Sequence, residues 1–219
     1  MLLERGATVD KSNSAGWTPL LHAVRHGHST VAALLLQNGA NVNARTCFGA
    51  SAPTLAARSG NLPTCRLLEG SGVSFGIDGL QSGTAGSMWE VTPLMVAAHR
   101  GHDTIVRHLL NSGNLQYQMP LLGLNALMAA AIGGHVSTTQ LLVERGGADT
   151  NMRDINDLCP LDIAVLRGKR QLQEYLDCKT TRRHSLCKNL MLLAMSIYNL
   201  PVVYLSRVLL CAETIEFTY

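Results

Sequence analysis

Apolar residues recur along this chain as paired short segments, each pair separated from the next by polar, glycine-containing stretches. After Thr18 comes a compact segment built on Leu20, Leu21, Ala23 and Val24. After Gly27-His28 comes a second, in which Val31, Leu34 and Leu35 fall on one helical side. The same pair returns downstream: Leu94 with Ala97-Ala98, then Ile105, Val106, Leu109 and Leu110. Glycine sets the register, since Gly6, Gly39 and Gly72 are spaced by 33 residues, and so are Gly113 and Gly146. Each follows a leucine-rich segment, where a glycine at positive φ ends a helix. The pattern predicts two helices per unit.

Helix starts are marked as clearly as helix ends. Thr18, Ser51, Thr92, Asn125 and Cys159 open the first helix of each unit. Thr, Ser and Asn cap a helix by accepting a free backbone N–H. Pro19, Pro93 and Pro160 follow directly, where the first turn tolerates proline. Ala23, Ala56-Ala57, Ala97-Ala98, Ala130-Ala131 and Ala164 keep one face small enough for neighbouring helices to approach.

Units are expected near 12–44, 45–77, 86–118, 119–152 and 153–178, behind a half unit at 1–11. Gly72 and Gly113 are 41 residues apart, so eight extra residues enter there, in a Gly- and Ser-rich insertion at about 76–88. That insertion reads as a tolerated loop or as a contact site. The half unit has the end of a second helix but no first helix. A solenoid normally closes with a polar cap, so a partial chain is expected, an unusual short cap being the alternative.

The motif Thr-Pro-Leu, followed by Ala and then Gly-His at this period, resembles the ankyrin-repeat family. The resemblance implies an all-α fold: an ankyrin-repeat solenoid of stacked helix-turn-helix units with β-hairpin fingers. It implies a binding surface and no enzymatic site. The family's histidine after Thr-Pro-Leu is replaced by Leu21, Thr54, Met95, Met128 and Asp162, a packing change. A closer resemblance runs from Gly16 to Arg182. Gly49-Ala50-Ser51 with Thr54, Ala56 and Arg58, then Leu67-Leu68-Glu69 before a Gly-rich insertion, then Tyr175-Leu176-Asp177 and Thr180-Thr181-Arg182, look like the samcystin-type family. These are ankyrin-plus-sterile-alpha-motif proteins of the primary cilium. The resemblance implies ciliary partners: a NIMA-related kinase, inversin-type and nephrocystin-type proteins, and other ankyrin–sterile-alpha-motif proteins. This chain carries no sterile-alpha-motif segment, and family binding that depends on one is not carried over.

Candidate contacts fall in two places. The pairs closing the first helices read Arg25-His26, Arg58-Ser59, His99-Arg100, Ile132-Gly133 and Leu166-Arg167. Their basic members are candidates for an acidic partner on the concave side, beside the fingers. Any one of them also offsets the helix macrodipole. Trp17, Phe48, Trp89 and Tyr117 sit at the fingers, as packing residues or as partner anchors. Asn43 and Asn151 match the ankyrin asparagine that an asparaginyl dioxygenase hydroxylates, or simply suit a turn.

Composition narrows the classes further. Apolar residues make 47 % of the chain and charged residues 15 %, which argues against disorder. A net charge of +3 is too weak to imply nucleic acid. Six cysteines without a C-x-x-C pair read as reduced, intracellular thiols. His28, His102 and His135 share the Gly-His position, which argues for a turn role and against a shared metal site. No phosphate-binding loop, G-x-S-x-G or H-E-x-x-H occurs, and no cofactor is expected.

From 179 to 219 the repeat stops and an apolar tail begins. A membrane span needs about 20 predominantly apolar residues. The stretch from Leu190 to Leu205 falls short and contains Asn199 and Pro201. A helix pair on the last unit, a membrane anchor, and a tail from an alternative transcript or an erroneous gene model all stay open. The expected function is a non-enzymatic protein–protein scaffold of the cytoplasm and cilium. The alternative is an adaptor domain anchored to a membrane by the tail.

Overall fold

The computed structural model describes residues 5–75, 91–111 and 122–180. Ten helices occur among them, in five antiparallel pairs. They are α1 (Pro19–Arg25) with α2 (Ser29–Gln37), α3 (Ala52–Ser59) with α4 (Leu62–Gly70), and α5 (Pro93–Arg100) with α6 (Asp103–Leu110). The last two pairs are α7 (Ala126–Gly133) with α8 (Val136–Glu144), and α9 (Pro160–Leu166) with α10 (Arg170–Asp177). The first helices stack in chain order α1, α3, α5, α7, α9, and the second helices form a parallel outer row. The insertion at 76–88 and the tail beyond 180 lie outside the described residues.

Two capping schemes explain where the first helices start. In three units the cap oxygen accepts from the backbone N–H three residues on. Thr18 takes Leu21 at 3.3 Å, Thr92 takes Met95 at 3.2 Å, and Asn125 takes Met128 at 2.9 Å. The third residue is then free to be apolar, and Leu21, Met95 and Met128 are all buried. In the other two units its side chain also reaches back, closing a capping box. Ser51 N–H donates to Thr54 Oγ1 at 3.0 Å, and Cys159 N–H donates to Asp162 Oδ2 at 3.0 Å. The replacements at the family's histidine position therefore follow the cap: apolar where the cap side chain acts alone, polar where the third residue reaches back to close a capping box.

Small residues decide which helices come closest. α5 and α7 share the most extensive interface, through Ala97, Ala98, Ala129, Ala130 and Ala131, all buried. α7 is apolar all round, and its seven residues from Ala126 to Ile132 are buried. The outer helices bury one stripe each: Ala32 and Leu35, Cys65 and Leu68, Ile105, Val106 and Leu109, Leu142, then Leu172 and Leu176. Together they form one continuous core.

Glycine places the second-helix exits with one correction. Gly39 and Gly72 take φ of 82°, as expected from the 33-residue register. In the fourth unit the residue at positive φ is Gly147, at 65°, and not Gly146. That exit carries one extra residue. Ala40 N–H reaches back five residues to the Leu35 carbonyl, whereas Ala148 N–H reaches six, to Leu142, both at 3.0 Å.

The fingers are turns shaped by side chains, with one antiparallel bridge, Arg45 to Ser51, among the described residues. Asn13 Oδ1 accepts from Ala15 and Trp17 N–H, Thr46 Oγ1 from Ala50 N–H, and Asp154 Oδ1 from Asn156 and Leu158 N–H. These groups imitate a backbone acceptor and set the fingers before α1, α3 and α9. No helix among the described residues is long and apolar enough to cross a membrane.

Candidate interaction surface

The turn between first and second helices is where the units interlock. Its glycine takes positive φ, 70° at Gly27, 73° at Gly60, 70° at Gly101 and 78° at Gly134. A side chain from the next unit lies over each: Asn61 over Gly27, His102 over Gly60, His135 over Gly101 and Lys169 over Gly134. Three of the four also pair with a backbone carbonyl of the preceding turn. Asn61 Nδ2 donates to Gly27 O at 2.8 Å, His102 Nε2 to Arg58 O at 3.0 Å, and His135 Nε2 to His99 O at 3.0 Å. A carbonyl carries no proton, so each imidazole must hold its hydrogen on Nε2. Gly-His is thus reciprocal: the glycine of one unit leaves room for the histidine of the next. A role in the turn is legible in the sequence; the neighbour it binds is not.

Basic groups line this same edge. Each closing pair sits at the end of its first helix away from the finger, about 12 Å off for eight residues at 1.5 Å rise. Arg25 bridges that distance. Helical side chains point back toward the N-terminus, and its guanidinium carbon lies 5.2 Å from the Trp17 ring centroid. His22 packs on the same indole at 5.0 Å. His26 is exposed and stacks on His28 at 6.0 Å. Arg58 and His99 are half-buried between units, and Arg100 and Arg167 are exposed. Burial pushes the His99 imidazole below its ordinary pKa, partly opposed by the backbone of Ala129.

The aromatic candidates divide. Trp17 is only 5 % exposed, so as a partner anchor it is corrected to a packing residue, held beneath Arg25 and beside His22. Phe48 is 45 % exposed at the tip of its finger. Trp89 and Tyr117 lie outside the described residues. Ile155, at 62 % exposure, is an apolar tip that sequence reading missed. Its signal was internal: Arg45 and Arg153 stand at equivalent places, and each donates to a carbonyl four residues on, Gly49 and Asp157. Both fingers are closed by the same arginine clamp, and both present one large apolar side chain.

Asn43 is exposed, with its N–H donating to Asn41 Oδ1 at 3.0 Å. Asn151 is half-buried, and both its N–H, at 2.8 Å, and its amide nitrogen, at 3.3 Å, donate to Asp149 Oδ1. Among the described residues no group of three or more His, Cys, Asp or Glu is arranged to hold a metal ion. Burial pushes the Cys65 thiol up to about 12, with Glu69 adding to it, and raises Cys159 as well. Neither thiol is activated for nucleophilic chemistry.

A family model described as ankyrin repeats matches three times, over residues 1–78, 54–154 and 94–183. The chain is 40 % identical over 108 residues to the B-cell lymphoma 3 protein homolog of Mus musculus, covering 49 % of this chain and 22 % of that protein. It is 31 % identical over 159 residues to the ankyrin repeat and KH domain-containing protein mask-1 of Caenorhabditis elegans, covering 73 % of this chain and 6 % of that one. It is 31 % identical over 171 residues to the ankyrin repeat and SAM domain-containing protein 6 of Danio rerio, covering 77 % and 20 %. The chain therefore spans about a fifth or less of these relatives' own length.

Proposed function

We propose, from the premise that this chain belongs to the ankyrin-repeat family, that it displays its first-helix face and finger tips to partner proteins of a ciliary signalling complex. Ankyrin arrays are generally non-enzymatic modules for protein–protein interaction. The observation that carries the reading is the separation of roles at one edge. Gly101, His135 and their equivalents lock the units together, while Arg100, Arg167 and His26 stand exposed beside them. A rigid row of side chains on locked units loses little entropy on binding.

The finer assignment extends the likeness to the ankyrin and SAM domain protein. By it the partners are a NIMA-related kinase, inversin-type and nephrocystin-type proteins, and other ankyrin–sterile-alpha-motif proteins, in the cytoplasm and primary cilium. Binding raises the kinase's activity by holding it in place. The reading with a membrane anchor rests on the tail, which lies outside the described residues.

The test is capture from ciliated cells with residues 1–183 and with the full chain, read by mass spectrometry, with kinase activity assayed alongside. Recovery of the kinase, weakened by Arg100→Glu with an unchanged thermal melt, supports the proposal. Recovery only of non-ciliary proteins, or recovery of the full chain in carbonate-washed membranes, sinks the ciliary assignment.

A further inference from the structure

Charge is sorted between the two rows of helices. The first helices and their closing turns carry Arg25, Arg58, Arg100, Arg167 and Lys169, together with histidines in three of the five units. Their only acid is Asp162, which is buried and taken up by Cys159 N–H at 3.0 Å. Acids lie elsewhere and many are engaged. Asp10 accepts from Asn41 N–H, Glu69 pairs with His108, Asp103 accepts from Thr138, and Asp157 pairs with Arg153. The outer helices mix both signs, with Arg66 and Arg107 beside Glu69 and Asp103. A chain of net charge +3 thus presents a face of one sign.

We propose that this face seats an extended acidic segment of a partner protein, running across the units with its carboxylates opposite the closing turns. The proposal deepens the scaffold reading, on which it rests, by naming the chemistry of what is bound. Charge complementarity selects the sign. The stacking selects the shape. Neighbouring helices lie about 8–10 Å apart, and an extended chain advances about 3.3 Å per residue. A carboxylate about every third residue therefore meets one unit after another. At the fourth unit Ile132 and Gly133 stand in the closing pair, and the cation is supplied by Lys169 of the next unit, whose side chain lies over Gly134. Lys169 thus continues the row from Arg100 to Arg167.

The experiment is fluorescence anisotropy of the full chain with labelled Ser/Gly peptides. One carries glutamate at every third position, one carries the same glutamates bunched at one end, and one replaces them with lysine. The spaced acidic peptide is expected to bind, more weakly at higher salt, and Arg100→Glu and Arg167→Glu each to weaken it about fivefold. Arg66→Glu and Arg107→Glu on the outer row are expected to leave it unchanged. Arg100→Gln, with melting curves for every variant, separates lost charge from lost folding. Equal binding of the bunched or lysine peptide, or equal loss from the outer-row variants, overturns the proposal. Ciliary proteins retained by the inner-row variants would do the same while leaving the scaffold reading intact.

Discussion

Gly101 and Gly39 have nearly the same backbone, φ of 70° and 82°, in opposite surroundings. A Cβ on Gly101 would lie 2.5 Å from the His135 ring, whereas one on Gly39 would meet nothing within 4 Å. The first is at the edge where units interlock, the second at the exit of an outer helix. The difference separates two meanings of a repeated glycine. At the exit it serves only the local turn, which is why the fourth unit absorbs an extra residue and moves the role to Gly147. At the interlocked edge it also serves the next unit, so position and size are both fixed.

The comparison is broken most directly by alanine at each glycine. Gly101→Ala is expected to cost about 3 kcal/mol or more, combining left-handed strain with the displaced imidazole. Gly39→Ala is expected to cost about 1–2 kcal/mol, from strain alone. Urea denaturation of both variants checks the gap, and equal costs would remove the distinction. Next comes His135→Ala, expected to cost about 1–2 kcal/mol by leaving the His99 carbonyl without its donor. His135→Asn should recover part of this, because Asn61 already makes the equivalent bond to Gly27.

His99 gives the same edge a pH dependence. Its folded pKa lies below the ordinary histidine value because burial disfavours the charged form. The unfolded chain binds a proton that the folded chain resists, so the contribution is complete above about pH 6.5. It is lost as pH falls through the depressed folded value. Thermal melts between pH 7.5 and 5 should show this loss, and His99→Gln should flatten the profile. At the fingers, Phe48→Ser and Ile155→Ser are expected to change stability by no more than about 0.5 kcal/mol. Partner capture should weaken in both; a large stability loss instead would make the tips structural.

Thr18, Thr92 and Asn125 announced their helices because a cap is a local device, readable within four residues. The Gly-His repeat announced a turn, but its bond crosses to a residue 36 positions away, from His135 to His99. Periodicity alone does not name that atom. Trp17 stayed open between packing and partner contact for a similar reason. A finger position suggests exposure, and only the folded-back Arg25 and the neighbouring His22 show why the indole is covered. Of the candidate contacts, His26, Arg100 and Arg167 lie on the basic edge, Arg25 folds back over Trp17, Arg58 and His99 are wedged between units, and Phe48 stands apart at its finger tip. The basic edge was legible as five pairs read one at a time. That almost no acid among the described residues faces it emerged only when Asp103 and Asp157 were seen engaged elsewhere and Asp162 at its own helix cap.

Hydrogen exchange of the full chain, alone and with its captured partner, tests the central claim most directly. Added protection is expected in α1, α3, α5 and α9 and in the fingers carrying Phe48 and Ile155, with α4, α6 and α8 unchanged. Protection concentrated on those outer helices, with the first-helix row unaltered, would contradict it.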